Sequence, residues 1–458
     1  MSNHSKASRR DFIKLSGLAG AGVVASQGIA RQTGKSEGPP RNLIFLVVDG
    51  MGTGTLSLAQ AYKQRMLSRS LAWFDLYEKG GCARSFQDTA SANSPVTDSA
   101  AAGSAWGCGQ RINNGAVNVT PNGLRPKPLF LLAKEAGKAT GLVSTCRITH
   151  ATPASFVANV KNRDLENEIA DQYLERELDV YLGGGLRHFE REDANLLDGF
   201  RAKGYAVATD EPSLKKAEKA SKLVGLFSDS HIPYAIDRQY GEAGKDVPSL
   251  ESMFESALEV VSRNPKGFVL QVEAGRVDHA GHNNDPAAIV HEQLEFDRCI
   301  PIAEAFLEKN PDTLLVVTTD HGTGGCQLNG VGSRYLGTNE ALKNLSEVNG
   351  SFESLHGHFK ETGEFDAAGF TRITGISVSE EQAQQVVERV SEFGGYFSSA
   401  VASVFARELL ESTGVGFSSF NHTSEHVEFL TLGPGREAFP PFIYNYQVNG
   451  ILRDLLEI

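Results

Sequence analysis

The sequence has little of what a small, stapled fold would need. Of its 458 residues only five are cysteine, namely Cys82, Cys108, Cys146, Cys299 and Cys326. They are odd in number and form no C-x-x-C pair, which excludes a zinc ribbon. One or two disulfides stay open, and spacing does not give their pairing. Positive charge is short as well. The 44 Lys and Arg stand against 56 Asp and Glu, a net charge of −12 that argues against nonspecific binding to nucleic acid or anionic lipid. No stretch approaches the about 18 consecutive apolar residues of a membrane span, so no anchor is expected in the mature chain. There is no G-x-S-x-G elbow, which disfavours a Ser-His-Asp hydrolase. The 47 glycines show no period of three, which excludes a collagen-like chain.

What is present is a globular composition, 40% hydrophobic and 22% charged. Residues 1–30 read as a leader rather than fold. Ser8-Arg9-Arg10-Asp11-Phe12 precedes a weakly apolar, Gly/Ala-rich run to Ala30, the order of parts in a Tat-type export signal. The mature chain, 31–458, is therefore expected in the periplasm or outside the cell.

Short apolar runs recur along that chain and end in chemically capable residues. Asn42–Val48 leads to Asp49, 141–145 leads to His150, and 268–272 leads to Glu273. The run 313–319 leads to Asp320-His321, and 427–432 follows His422. Helical patterns lie between them, at 128–138, 250–263 and 287–309. Alternation of this kind predicts a largely parallel sheet with helices on both faces, a three-layer α/β/α sandwich. Ligands of such sheets bind beyond the carboxyl ends of the strands. Several strands ending in Asp or Glu thus point to one shared site. The stretch 327–419 is richer in Gly, Ser and Glu, carries a helical segment at 379–393, and reads as an inserted subdomain.

The candidate ligands are Asp49, Glu273, Asp278, His282, Asp320, His321 and His422. Asp278 and His282 are four apart and share a face if that segment is helical. Imidazoles mixed with carboxylates suit zinc, and an all-oxygen subset suits magnesium. Ser99, in T-D-S-A-A-A-G, opens a run of small residues that suits a helix. The free N–H groups at its start would stabilise an anion. The blander reading is an N-cap serine. In H-A-T-P-A, Thr152 suits a helix cap and Pro153 its first turn, with Arg163 near the end of that helix offering a planar fork to phosphate.

Taken together, V-V-D-G-M-G, V-T-D-S-A-A-A-G, H-A-T-P-A with Arg163, V-E-A-G-R-V-D-H-A-G-H, T-T-D-H and N-H-T-S-E-H resemble the alkaline phosphatases, in the family order and from Asn42 to Leu432. The resemblance implies a metal-dependent phosphomonoesterase with Ser99 as the nucleophile that becomes phosphoserine. It implies two zinc ions, one on Asp278, His282 and His422, the other on Asp49, Asp320 and His321. A third, magnesium-type site would take Asp49, Thr152 and Glu273. Arg163 would clamp phosphate and Asp98 would orient it. This chain has His150 and His279 where the best-studied bacterial pattern has Asp and Lys, as other members do. His150 near the third site implies weaker magnesium binding or another divalent metal there, and His279 would be a water-mediated phosphate contact. His356, His358 and His426 match no ligand role. The expected partners are small phosphate monoesters, and a homodimer stays open. Rival readings are a related-fold diesterase or sulfatase, or a metal- or phosphate-binding protein without turnover. The sulfatase C/S-x-P-x-R segment is missing. Ser99, Thr152 and Glu273 disfavour the diesterase, and Ser99 with Arg163 the binding protein.

Overall fold

A computed structural model describes residues 38–242 and 244–458; the leader expected at 1–30 lies outside the described residues. In chain order the strands are β1 (Asn42–Val48), β2 (Ala83–Asp88), β3 (Ala139–Arg147), β4 (Val180–Gly184), β5 (Ala206–Ala208), β6 (Leu223–Leu226) and β7 (Phe268–Ala274). They continue with β8 (Thr313–Thr318), β9 (Gly322–Thr323), β10 (Gln327–Leu328), β11 (Val415–Gly416), β12 (His422–Thr423), β13 (Val427–Leu432) and β14 (Phe442–Tyr444). Ten of them form one sheet in the order β14-β2-β13-β8-β1-β7-β3-β4-β6-β5. Every neighbouring pair is parallel except the two made by β13, which runs against β8 and β2.

The apolar run of β1 shows why helices cover both faces. Successive side chains of a strand point to opposite sides. Leu43, Phe45 and Val47 enter one core, with Trp106, Phe130 and Phe156, while Ile44, Leu46 and Val48 enter the other, with Trp73, Met253 and Phe254. A strand buried on both faces reads as a near-continuous apolar run, and all seven residues of β1 are buried, six of them apolar and the seventh, Asn42, donating to Thr313 Oγ1 at 3.1 Å. Among the described residues no helix is long and apolar enough to cross a membrane, and the five cysteines are all free thiols.

Two helical expectations change. The pattern at 287–309 is two helices, Pro286–Asp297 and Cys299–Lys309. Pro301 has no N–H and its ring would strike the carbonyl four residues back, which is Asp297, so the first helix stops there. The helix at H-A-T-P-A spans only Ala151–Ser155 with His150 at its N-cap. Thr152 is therefore inside it rather than capping it, and Arg163 lies well beyond its end. The arginine is held instead by its backbone, whose N–H donates to the carbonyl of Gly115 at 2.7 Å.

Segment 327–419 carries its own apolar cluster, in which Phe352, Phe365, Phe370, Phe397 and Phe405 meet, with Phe370 and Phe405 stacked at 4.3 Å. Its two ends are joined by the β10·β11 ladder. His356 stacks on Phe397 in that cluster, and His426 packs on Phe442.

Candidate active site

The sheet order puts β8, β1, β7 and β3 side by side, so the residues at their carboxyl ends share one edge. Asp49 follows β1, Asp320 and His321 follow β8, Glu273 is the penultimate residue of β7, and His150 follows β3. The helix Arg276–His282 springs directly from β7 and turns Asp278 and His282 onto the same side, as their spacing requires. His422 arrives from the far end of the sequence through β12, which pairs with β9 so that His422 lies opposite Thr323.

Among the described residues four groups of side chains could hold a metal ion, and three of them contain carboxylates: Asp278, His282 and His422; Asp49, Asp320 and His321; and Asp49, His150 and Glu273. In the first, the Nε2 atoms of His282 and His422 both lie 3.4 Å from Asp278 Oδ1. Each ring is fixed from behind, His282 Nδ1 by the carbonyl of Phe420 at 2.6 Å and His422 Nδ1 by that of Thr97 at 2.8 Å. A ring whose Nδ1–H donates to a carbonyl leaves the Nε2 lone pair free, the arrangement of a metal-ligating histidine. In the second, His321 Nε2 lies 3.1 Å from Asp320 Oδ2 and 3.6 Å from Asp49 Oδ1, with all three side chains shut off from solvent. Thr323 joins the two groups, since its hydroxyl donates to Asp278 Oδ1 at 2.5 Å and lies 3.3 Å from His321 Nδ1. In the third, Thr152 Oγ1 donates to Asp49 Oδ2 at 3.1 Å, and the Ser144 hydroxyl donates to Glu273 Oε2 at 2.5 Å.

The electrostatics of the edge call for cations. Asp49 Oδ1, Glu273 Oε1, Asp320 Oδ2 and His150 Nδ1 are buried with no hydrogen-bond partner. Unpartnered buried carboxylate oxygens are expensive, and several on one edge repel each other. Burial first, and then the charges of Asp320, Asp278 and Glu273, push Asp49 well above the usual carboxylate range. Burial and Asp320 push Glu273 up to about 8, although Ser144 pulls it down. Burial works on Asp278 in the same sense, but His282 and His422 outweigh it and hold its carboxyl well below the usual range. His150 is pushed down by burial and by Arg163, which keeps its ring neutral and able to donate a lone pair. The donor sets fit two zinc-type groups of nitrogen and oxygen and a third, oxygen-richer group.

Ser99 is the first residue of the helix Ser99–Cys108, and its N-cap is Asp98, whose side chain accepts from Ala101 N. The serine is therefore not the cap, and its hydroxyl is free for other work. It lies 3.3 Å from His321 Nε2 and is 1% exposed. The other oxygen of Asp98 accepts from Gly115 N at 2.9 Å and from Arg163 Nη1 at 3.2 Å, while Arg163 Nη2 lies 2.9 Å from His150 Nε2. The Asp98 charge raises the Arg163 pKa against the opposing effect of burial.

His279 is one ring further out, 5.6 Å from His150 between ring centroids. It stands with Cys146 and His231 in a group that sequence reasoning missed. Those two positions are distant in the sequence and unremarkable alone. Guanidinium N–H donors face both rings, Arg147 against His231 and Arg276 against His279, which sets this group apart from the carboxylate-rich ones as a seat for a cation. Thr323 and Ser144 were missed too; a hydroxyl two residues after His321 was the available signal for the first.

Residues 40–458 match the family model described as alkaline phosphatase. The chain is 32% identical to alkaline phosphatase 3 of Bacillus subtilis over 95% of its own length and 93% of the relative's. It is similar to the crystal structure of the Thermus thermophilus alkaline phosphatase, with a TM-score of 0.86, 36% identity and 96% of each chain covered. It is also similar to a histidine-to-aspartate variant of the alkaline phosphatase from the Antarctic bacterium TAB5 with Mg bound in the M3 site. There the TM-score is 0.66 and the identity 25%, with 92% of this chain and 99% of that one covered.

Proposed function

The chain belongs to the alkaline phosphatase family and is a phosphoric monoester hydrolase, and from that premise we propose that it works through a phosphoserine on Ser99. Asp278, His282 and His422 would hold one zinc ion, and Asp49, Asp320 and His321 a second. Asp49, Thr152 and Glu273, beside His150, would hold a third, magnesium-type cation. Bound there, the cations supply Lewis-acid stabilisation of charge on the attacking and departing oxygens.

The observation that carries the reading is the position of Ser99. Its Oγ is buried at a helix N-terminus, 3.3 Å from a residue of one ligand group, and follows directly on the aspartate that holds Arg163. Helix N–H groups favour the serine oxygen as an anion. The planar guanidinium of Arg163, oriented by Asp98, grips two non-bridging phosphate oxygens. Ser99 Oγ gives up its proton and bonds to phosphorus as the ester oxygen leaves with its electron pair, and one proton returns to that oxygen to give the alcohol. Water then attacks phosphoserine, returning the serine and releasing inorganic phosphate. Two in-line displacements leave the configuration at phosphorus retained. The transition state is charge-dispersed, so positioning supplies most of the catalysis.

The third site is the least standard part. An imidazole at position 150 offers one lone pair and cannot hold magnesium-bound water as a carboxylate does. The Antarctic variant, with aspartate in place of a histidine and Mg in M3, supports a reading in which His150 weakens magnesium binding here. Export through the Tat-type leader, with action in the periplasm or outside the cell, belongs to the same reading and is supported by the twin arginine at Arg9-Arg10. So does a subdomain at 327–419 that borders the site, supported by the Ser399 hydroxyl, which donates to the carbonyl of His282 at 3.1 Å. A homodimer is consistent with it.

The test is turnover of p-nitrophenyl phosphate, bis-p-nitrophenyl phosphate and p-nitrophenyl sulfate by the chain from Arg31 onward. Each is measured before and after EDTA and after return of zinc and magnesium. Monoester turnover should dominate, vanish with EDTA and return with metal. Ser99→Ala should cost roughly 10⁴-fold or more in kcat with metal content unchanged. Preference for the diester or sulfate, or full activity of Ser99→Ala, would sink the mechanism.

A further inference from the structure

Arg276 is a fully buried cation that the mechanism above does not use. It sits in the first turn of the helix that carries Asp278 and His282, and only 2% of it is exposed. Its guanidinium is fixed on three sides. It lies 3.8 Å over the ring of Tyr234, Nη2 is 2.8 Å from Glu353 Oε2, and Nη1 is 3.3 Å from His279 Nδ1. Tyr234 is itself fully buried. Glu353 comes from segment 327–419, and its backbone is pinned to the main body by two neighbours. Ser351 donates to Asp237 through both its N–H, at 2.8 Å, and its hydroxyl, at 2.5 Å, and Phe352 N donates to Asp285 Oδ2 at 2.8 Å. The carboxylate that aims Arg276 is therefore placed by the inserted segment.

A guanidinium has only N–H donors and does not give up its proton. The nitrogen it faces has to be an acceptor, so His279 Nδ1 carries the lone pair and Nε2 carries the hydrogen. Cys146 Sγ, 3.9 Å from the same Nδ1, is a second weak donor to that lone pair. Which ring nitrogen carries the proton is set by the partner of the other one.

We propose that Arg276 is a positioning residue, oriented by Glu353 of segment 327–419, that fixes His279 as the Nε2–H tautomer and so presents a hydrogen-bond donor to the phosphate group of the substrate. This rests on the reading of His279 as a phosphate contact given above, and it adds that the inserted segment takes part in phosphate binding through a relay of three side chains. His279 would be the group that meets phosphate, directly or through a water, and Arg276 and Glu353 would act only through it. The interaction is made alike to bound ester, phosphoserine and inorganic phosphate. Its loss is therefore expected to weaken binding more than it slows the chemical step.

The experiment uses the metal-loaded enzyme. In protein labelled with ¹⁵N-histidine, the His279 ring, assigned by its disappearance in His279→Gln, should show a protonated Nε2 and an unprotonated Nδ1. In Arg276→Met the proton should distribute over both nitrogens. KM for p-nitrophenyl phosphate and Ki for inorganic phosphate should rise together, about three- to tenfold, with kcat changed less than twofold. Glu353→Gln keeps the shape and most of the hydrogen bonding of the pair, and it alters the partly exposed member rather than the buried one. It should give the same pattern at smaller size, which covers the case in which Arg276→Met does not fold. Arg276→Lys keeps a donor and should restore part of the Ki. Adding Arg276→Met to His279→Ala should leave phosphate Ki where His279→Ala put it. An Nδ1–H ring in the wild type, or a fall in kcat at constant KM and Ki in both Arg276→Met and Glu353→Gln, would overturn the proposal. An unchanged phosphate Ki in His279→Ala would overturn the phosphate contact alone, leaving the tautomer to be decided by the spectrum.

Discussion

The two zinc-type groups share an edge but are fixed in different ways. In Asp278, His282 and His422 the rings are held from behind by backbone carbonyls, and His282 keeps 35% of its side chain exposed. In Asp49, Asp320 and His321 nothing is exposed, and the anchors are backbone N–H groups on the carboxylate, with Asp320 Oδ1 accepting from Gly50 N, 270 positions away, at 3.1 Å and from His321 N at 3.0 Å. The first group is preorganised yet partly open to solvent. The second is sealed, carries more unpartnered carboxylate oxygen, and lies beside the Ser99 hydroxyl. Under the mechanism proposed above, the sealed group would serve the nucleophile and the more open one the leaving group.

The sharpest way to break this comparison is to remove Asp49, which belongs to two of the three groups. Asp49→Ala should lose metal from both and drop monoester turnover by roughly 10³-fold or more, the scale of losing a main electrostatic stabiliser. His282→Ala should empty only one group. Metal content by mass spectrometry decides, and equal losses would mean that the groups are not separable. A smaller effect is expected at Thr323, whose hydroxyl touches both groups. Thr323→Val should weaken zinc binding about 10–100-fold in chelator competition, with Thr323→Ser restoring most of it, as for other outer-shell partners of metal ligands. Loss confined to one group would show that the hydroxyl serves that side alone. Smallest is the third group. In His150→Asp, magnesium should saturate the metal-stripped protein at roughly tenfold lower concentration, again the scale of one altered polar partner. Identical titrations would separate His150 from that site.

Much of this was legible in the sequence because the motifs sit where parallel strands end. An apolar run as short as 43–48, rich in β-branched residues and closed by Asp-Gly, reads as a strand buried on both sides, and Asp49 is then at its mouth. The helix from Ser99 and the i, i+4 pair of Asp278 and His282 follow from local pattern alone. What was misread depends on tertiary partners. Arg163 was placed on a helix, yet it is fixed by the carbonyl of Gly115, a contact with no local signature. The break at Arg298 was missed because apolar periodicity continues through it, and only Pro301 marks it. Cys146 and His231 meet across 85 positions of chain, and no spacing rule joins them. Arg276 stood inside the most informative motif and passed as filler, since its role depends on Glu353 from a segment with no recognisable pattern.

The two-residue ladder of β9 and β12 has a consequence for how the enzyme is born. His422 is seated by the carbonyl of Thr97, 325 positions earlier, and by pairing with Thr323 across the whole of segment 327–419. During synthesis Asp49, Ser99, Asp278, Asp320 and His321 all emerge well before it. Domains form as units while the chain lengthens, but the group of Asp278, His282 and His422 is complete only once His422 has been made. On the ligand reading proposed above, a chain that ends before His422 lacks one member of the group with Asp278 and His282 and is expected to hold no metal there.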